Sequence, residues 1–280
     1  MSESIICDDL DEGIDHYTTH LGYRLDMITP ADAPREALLT KGGETMRLVL
    51  SSRFQVPDSE LRTDADLERG TCNLKLTNDS EWITGRAGME YRDLIPDRLG
   101  GKVIASHIRL TKGGEVADYV HYHKVDFQMI YCKRGRIRVV YEDQGEPFWL
   151  ETGDCVLQPP EIRHRVLECT AGAEVIEIGM PAVHETWVEH EIDLPTAGLK
   201  PDRDFSGQRF VRHIAAGKSD AFRRDLGIAA ATGGRYEAYV QQMQPDKELP
   251  ANYANACEIN LYFRLNDLEV LAIELKLMSE

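Results

Sequence analysis

Between residues 102 and 180 the sequence breaks into eight short runs of β-branched, aromatic and aliphatic residues, at 102–110, 121–123, 127–132, 136–141, 148–151, 155–158, 164–169 and 174–180. Gly, Pro and charged residues interrupt them every few positions, which excludes long helices and predicts a mainly β, double-sheet jelly roll. A strand sends every second side chain to the same face, so His121 and His123 in Tyr119-Val120-His121-Tyr122-His123 point at one spot. On a helix the same convergence needs a spacing of three or four. Gln128 follows in the next run and His164 opens a later one. Neutral imidazole is a ready metal ligand, so these residues form a candidate site assembled from two β-hairpins.

The spacing carries more than the pair. Gly114, His121, His123, Gln128 and Gly135 stand in one order, followed by Gly153-Asp154-Cys155-Val156-Leu157-Gln158-Pro159-Pro160-Glu161-Ile162-Arg163-His164. These two stretches resemble the two motifs of the cupin superfamily, in its RmlC-like jelly-roll form. One extra residue follows Gly114, Gln128 replaces the usual glutamate, Glu161 stands where a glycine is common and Glu168 where an asparagine is common. The resemblance implies one divalent transition metal held by His121, His123 and His164 with Gln128 as a fourth group. Iron is the first choice, with nickel, zinc, manganese and copper as alternatives. It also implies dioxygenase chemistry, since three-histidine cupins include mononuclear non-haem iron dioxygenases. A non-redox isomerase or lyase, and a non-catalytic ligand-binding or sensor protein, stay open beside it.

A glutamine in the carboxylate's place leaves the charge of a divalent ion uncompensated by the protein, so the expected ligand is a small anionic chelator such as an enolate or an α-keto acid. Alternation places Ile130 and Cys132 on the face of Gln128, and Val166 and Glu168 on the face of His164. Tyr131 or Glu168 could orient or deprotonate a ligand, and Arg138 or Arg163 could hold a carboxylate in a bidentate pair. His107, on the first barrel strand, is a further pocket candidate. His184, His190 and His213 are expected in surface loops or at an interface.

Composition narrows the partners. Across 280 residues, 48 acidic against 32 basic side chains give a net charge of −16, which argues against nucleic acid and anionic membrane surfaces, both of which reward basic patches. The opening Met-Ser-Glu-Ser lacks a basic and then apolar leader, and a cytoplasmic location is expected. Cys7, Cys72, Cys132, Cys155, Cys169 and Cys257 are scattered without close pairs, so reduced structural thiols are expected.

Four segments are expected. Residues 1–52 open with a short strand at Ile5 and Ile6 and a helix over 10–21, where Ile14, Tyr17 and Leu21 recur at helical spacing before Gly22. This opening is similar to half of a glyoxalase-like, vicinal-oxygen-chelate βαβββ pair, here without metal ligands. Residues 53–89 are expected to be a connector with turns near Pro57 and Asp64, a short strand at 73–76 and an edge strand. Residues 90–191 hold the metal-binding barrel. In 192–280, Arg224-Asp225-Leu226 and Gly233-Gly234 echo Arg92-Asp93-Leu94 and Gly100-Gly101 at an offset of about 132. The echo suggests a bicupin whose second copy is partial and degenerate, with Ala254 and Ala256 in place of His121 and His123. An incomplete barrel leaves backbone groups open, which predicts a homodimer.

Overall fold

A computed structural model describes residues 3–51, 82–215 and 222–277. The turns near Pro57 and Asp64, the strand at 73–76 and Cys72 lie outside the described residues. The first unit has the order β1 (Glu3–Cys7), α1 (Leu10–Asp15), β2 (Arg24–Thr29), β3 (Glu36–Lys41) and β4 (Glu44–Leu50). There follow β5 (Ile83–Thr84), β6 (Glu90–Asp93), β7 (Ile104–Leu110), β8 (Gly114–Glu115), β9 (His121–His123), β10 (Phe127–Arg134), β11 (Arg136–Tyr141) and β12 (Phe148–Glu151). Then come β13 (Cys155–Leu157), β14 (His164–Cys169), β15 (Ala173–Met180), β16 (Thr186–Val188) and β17 (Val211–His213). The last unit is β18 (Arg223–Asp225), β19 (Tyr236–Gln242), β20 (Tyr253–Ala254), β21 (Glu258–Arg264) and β22 (Glu269–Lys276).

The expected first helix forms but does not stay α. Asp9 caps it by accepting from the Glu12 N–H at 2.9 Å, and after Asp15 the chain widens into a π turn over His16–His20. Thr18 donates its hydroxyl to the Ile14 carbonyl at 2.8 Å, a local bond that competes with the α ladder. Leu10 packs with Ala37, Leu39, Met46 and Leu48, and Ile14 and Tyr17 lie against that cluster. β1 pairs parallel to β4, and the order β1-β4-β3-β2 continues through β16 into β9-β14-β11-β12. The first unit thus extends one wall of the barrel as a single sheet.

The other wall runs β17-β13-β10-β15-β7-β6-β5. Between the two walls lies an apolar layer that includes Ile130, Cys132, Ile137, Val139, Val156 and Val175. Where β10 turns into β11, Gly135 has φ +71° and a Cβ there would stand 2.7 Å from Thr170 Oγ1. Only glycine fits both the left-handed backbone and that approach.

The second wall is buried on both faces. Phe127, Met129, Tyr131, Ile176 and Ile178 point away from the barrel into a core shared with Ile259, Leu261, Phe263, Leu271 and Ile273. Those partners sit on a third sheet, β18-β19-β22-β21-β20. Its strands β18-β19-β22-β21 repeat the order β6-β7-β15-β10 of the second wall: Met129 pairs with Ile178 and Ile178 with Ala105, as Leu261 pairs with Ile273 and Ile273 with Ala238. Asp93 Oδ1 accepts from the Ile95 N–H and Asp225 Oδ1 from the Gly227 N–H, so the turn chemistry repeats too. The C-terminal segment therefore repeats part of that wall within the described residues. Full burial of each large apolar side chain in this shared core contributes about 1.5–3 kcal/mol.

No helix among the described residues is long and apolar enough to cross a membrane. The described cysteines are free thiols, and burial pushes Cys132 and Cys155 up to about 12.

Candidate metal centre

β9 and β14 are neighbours in register, with His164 opposite His121. The three ring centroids lie 4.2 Å (His121 to His164), 5.1 Å (His121 to His123) and 5.2 Å (His123 to His164) apart. One ligand atom from each ring falls within 4.8 Å of the others, and all three residues are buried. No other such group occurs among the described residues.

Their second nitrogens are anchored. His121 Nδ1 meets the Tyr119 carbonyl at 2.8 Å, His164 Nδ1 the Ile162 carbonyl at 2.9 Å and His123 Nδ1 the Thr186 hydroxyl at 2.9 Å. A carbonyl only accepts, so in His121 and His164 the proton sits on Nδ1 and Nε2 keeps its lone pair. Anchoring of one ring nitrogen is how proteins orient the other towards a metal. The donor set fits a divalent transition ion on this ground.

Gln128 faces the same cavity from β10, tied into a chain of polar groups. Tyr141 Oη donates to Gln158 Oε1 at 2.9 Å, Gln158 Nε2 donates to Gln128 Oε1 at 3.2 Å, and Gln128 Nε2 donates to Glu177 Oε1 at 2.6 Å. Gln158 Nε2 also lies 3.2 Å from His164 Nε2. Burial pushes the Tyr141 phenol up, which keeps it a donor. A carboxylate is present in this chain of groups, supplied by Glu177 on β15 instead of residue 128. It accounts for Gln128 itself, since a glutamate there would set two carboxylates at hydrogen-bonding distance.

The walls of the cavity include Ile108, Ile130, Ile137, Val139 and Val166, and the space open to the centres of water-sized molecules is about 70 Å³. That room suits several waters or a small organic acid, not a polymer. Asp32, from the loop between β2 and β3, also lines it.

Six expected pocket residues lie elsewhere. His107 points out of the barrel, where Arg92 Nη2 and Glu174 Oε2 each lie 2.9 Å from its ring nitrogens. Tyr131, one residue out of phase with Gln128, packs under the third sheet, and its phenol is pushed up to about 12 by burial. Cys132 shares the face of Gln128 but is packed in the apolar layer beyond the cavity. Arg138 and Glu168 face each other across β11 and β14 at 3.8 Å with both side chains partly exposed. Arg163 donates to Glu189 at 2.9 Å and lies over the Tyr122 ring.

Two functional candidates escape the sequence reading. Glu177 is the one charged residue inside Val175-Ile176-Glu177-Ile178, a run whose two faces are both buried. His184, expected at the surface, is 6% exposed and lines the cavity. His190 and His213 do lie outside it, His190 Nε2 meeting the Leu25 carbonyl at 3.0 Å.

A two-walled jelly roll whose three histidines converge between its walls defines the class. Residues 106–179 match the family described as Cupin domain, and the chain carries a cupin barrel. It is similar to an RmlC-like cupin from Shewanella frigidimarina NCIMB 400, at 25% identity over 40% of this chain and 93% of that one, with a TM-score of 0.33. It is similar to a deletion mutant of Bacillus subtilis oxalate decarboxylase, at 11% identity over 74% of this chain and 78% of that one, with a TM-score of 0.46. KdgF from Halomonas sp. is 20% identical over 38% of this chain and 93% of that one, with a TM-score of 0.31. No curated protein matches the chain in sequence.

Proposed function

We propose that the barrel is the metal centre of an enzyme acting on a small, oxygen-rich chelating molecule. The observation that carries this is the anchoring of His121, His123 and His164 at Nδ1, which leaves three buried nitrogens to converge. His121, His123 and His164 would hold the ion, and Gln128 would act through its links to Gln158 and Glu177. Bound there, a divalent ion supplies Lewis acidity, and iron adds one-electron chemistry with dioxygen. The small, largely apolar lumen excludes bulk water and sizes the ligand.

Dioxygenase activity is the first reading. The second is a non-redox isomerase or lyase, favoured by Glu177 and His184, two groups in the cavity able to hold a proton. In either case the N-terminal βαβββ unit, read as a glyoxalase-like half module, and the third sheet serve assembly.

The test is elemental analysis of the purified protein beside His121→Ala, with oxygen uptake followed on a panel of small keto and hydroxy acids. About one ion per parent chain, lost in the variant, supports the metal centre. Iron with oxygen uptake selects the first reading, and zinc with turnover but no oxygen uptake the second. A parent that stays empty after incubation with divalent metals sinks both.

A further inference from the structure

His184 stands outside the metal triad but shares its cavity. It follows β15 in the segment that leads to β16, and its ring meets that of His123 edge-on, with centroids 5.5 Å apart and planes at 88°. Its Nδ1 lies 2.9 Å from the Pro181 carbonyl oxygen. Because the carbonyl can only accept, Nδ1 carries the proton and the neutral ring's lone pair is on Nε2. That nitrogen is buried and has no hydrogen-bond partner among the described residues. Native interiors rarely leave a buried polar atom unmet, and one that is left in a lumen points to a ligand.

The surroundings hold the ring in place. Across from it, residue 179 is glycine: a Cβ there would stand 3.2 Å from His184 Cε1 and 3.3 Å from Ile104 Cγ2. The missing side chain makes room for the imidazole. A second acceptor lines the same cavity from the N-terminal unit. Asp32 Oδ2 takes a hydrogen bond from Arg98 at 2.7 Å, while Oδ1 is buried without one from the described residues. Both acceptors come from outside residues 106–179, the stretch that matches the cupin domain.

We propose that His184 Nε2 accepts a hydrogen bond from a hydroxyl of the ligand, so that the site selects chelators bearing a hydroxyl proton, α-hydroxy acids being the simplest, over chelators that lack it. The proposal rests on the metal-centre reading above. Carboxylate and hydroxyl oxygens of such a molecule can chelate together, and chelation acidifies the hydroxyl, which strengthens it as a donor to a neutral imidazole. His184 is thus a ligand-positioning residue, separate from the groups that hold the ion.

The experiment uses the full-length, zinc-loaded protein, with metal content measured first and calorimetric titration second. The two probes are glycolate and methoxyacetate, which offer the same two chelating oxygens and differ in the hydroxyl proton. The parent is expected to bind glycolate about tenfold more tightly, the worth of one hydrogen bond. In His184→Phe, which keeps a ring without nitrogens, the preference falls to within about twofold while zinc stays near one per chain. His184→Gln, whose amide oxygen can accept, retains part of the preference. A parent that takes up no zinc defeats the metal-centre reading itself. A zinc-loaded parent that does not bind glycolate, or binds both probes equally, overturns this proposal alone, as does a preference that survives in His184→Phe.

Discussion

Single side chains on the second wall act on whichever side they face. His107 and Ser106 are adjacent in β7, but Ser106 looks into the cavity and His107 out of it. On that outer face His107 is held between two fixed partners. Arg92 donates to Nδ1 and the ring donates through Nε2 to Glu174, an arrangement that requires the neutral form. Burial, with Lys133 close by, pushes its pKa from 6.5 down to about 4, outweighing the bond to Glu174. The unfolded chain therefore takes up a proton over a range where the folded one does not, so stability rises with pH there. On acidification the parent loses stability as pH falls below 6.5, and the loss levels off below about 4. The whole loss amounts to roughly 3 kcal/mol at most. His107→Gln removes this proton uptake, and urea midpoints measured from pH 7 to 4 should fall less steeply than the parent's. Parallel curves would show that His107 titrates alike in both states.

At the scale of strands, much is legible in the sequence and one thing is not. Where residues alternate between a buried and a wet face, or turn at glycines, the bounds can be read: 136–141, 148–151 and 164–169 fall on β11, β12 and β14. The His-x-His pair is legible for the same reason, since period two alone converges the rings. The strands of the second wall are legible in position, 127–132 and 174–180 falling on β10 and β15, but composition does not tell which of their faces holds the site, because the third sheet covers the outer face and both phases read as apolar. Tyr131 is therefore open to being taken for a pocket residue although alternation puts it opposite Gln128, and Glu177 is hidden in a strand whose position is otherwise plain. His184 sits beyond the last barrel strand, where no periodicity bears on it. The covering sheet has an energetic signature. Leu261 is fully buried between the second wall and the third sheet, and Leu261→Ala should cost about 2–5 kcal/mol. A chemical denaturation series checks this, with the metal content of the folded variant unchanged because the lumen lies on the other face. A cost below about 1 kcal/mol would mean that the third sheet adds little to the core.

For the whole molecule, both flanking units attach to the barrel but do so differently. The third sheet lies against an outer face through side chains. The N-terminal unit instead joins the ladder of the first wall: β9 pairs with β16, and β16 with β2, matching Trp187 to Tyr122 on one side and to Met27 on the other. Thr186 belongs to that ladder and also holds the Nδ1 of His123. An ion bound by His121 and His123 therefore steadies a strand whose hydrogen bonds run, two strands on, into the N-terminal unit. A ligand that binds only the closed form suppresses local opening by mass action, about tenfold in exchange rate for each 1.4 kcal/mol. Hydrogen exchange with and without zinc should then show added protection at Thr186–Val188 and Arg24–Thr29, and less in β19, β21 and β22, which contact the barrel only through packed side chains. In His121→Ala that difference should vanish. Protection confined to β9 and β14 would mean that the N-terminal unit opens independently of the centre. Protection equal in all three sheets would mean that exchange proceeds by global unfolding, with the shared ladder carrying no special coupling.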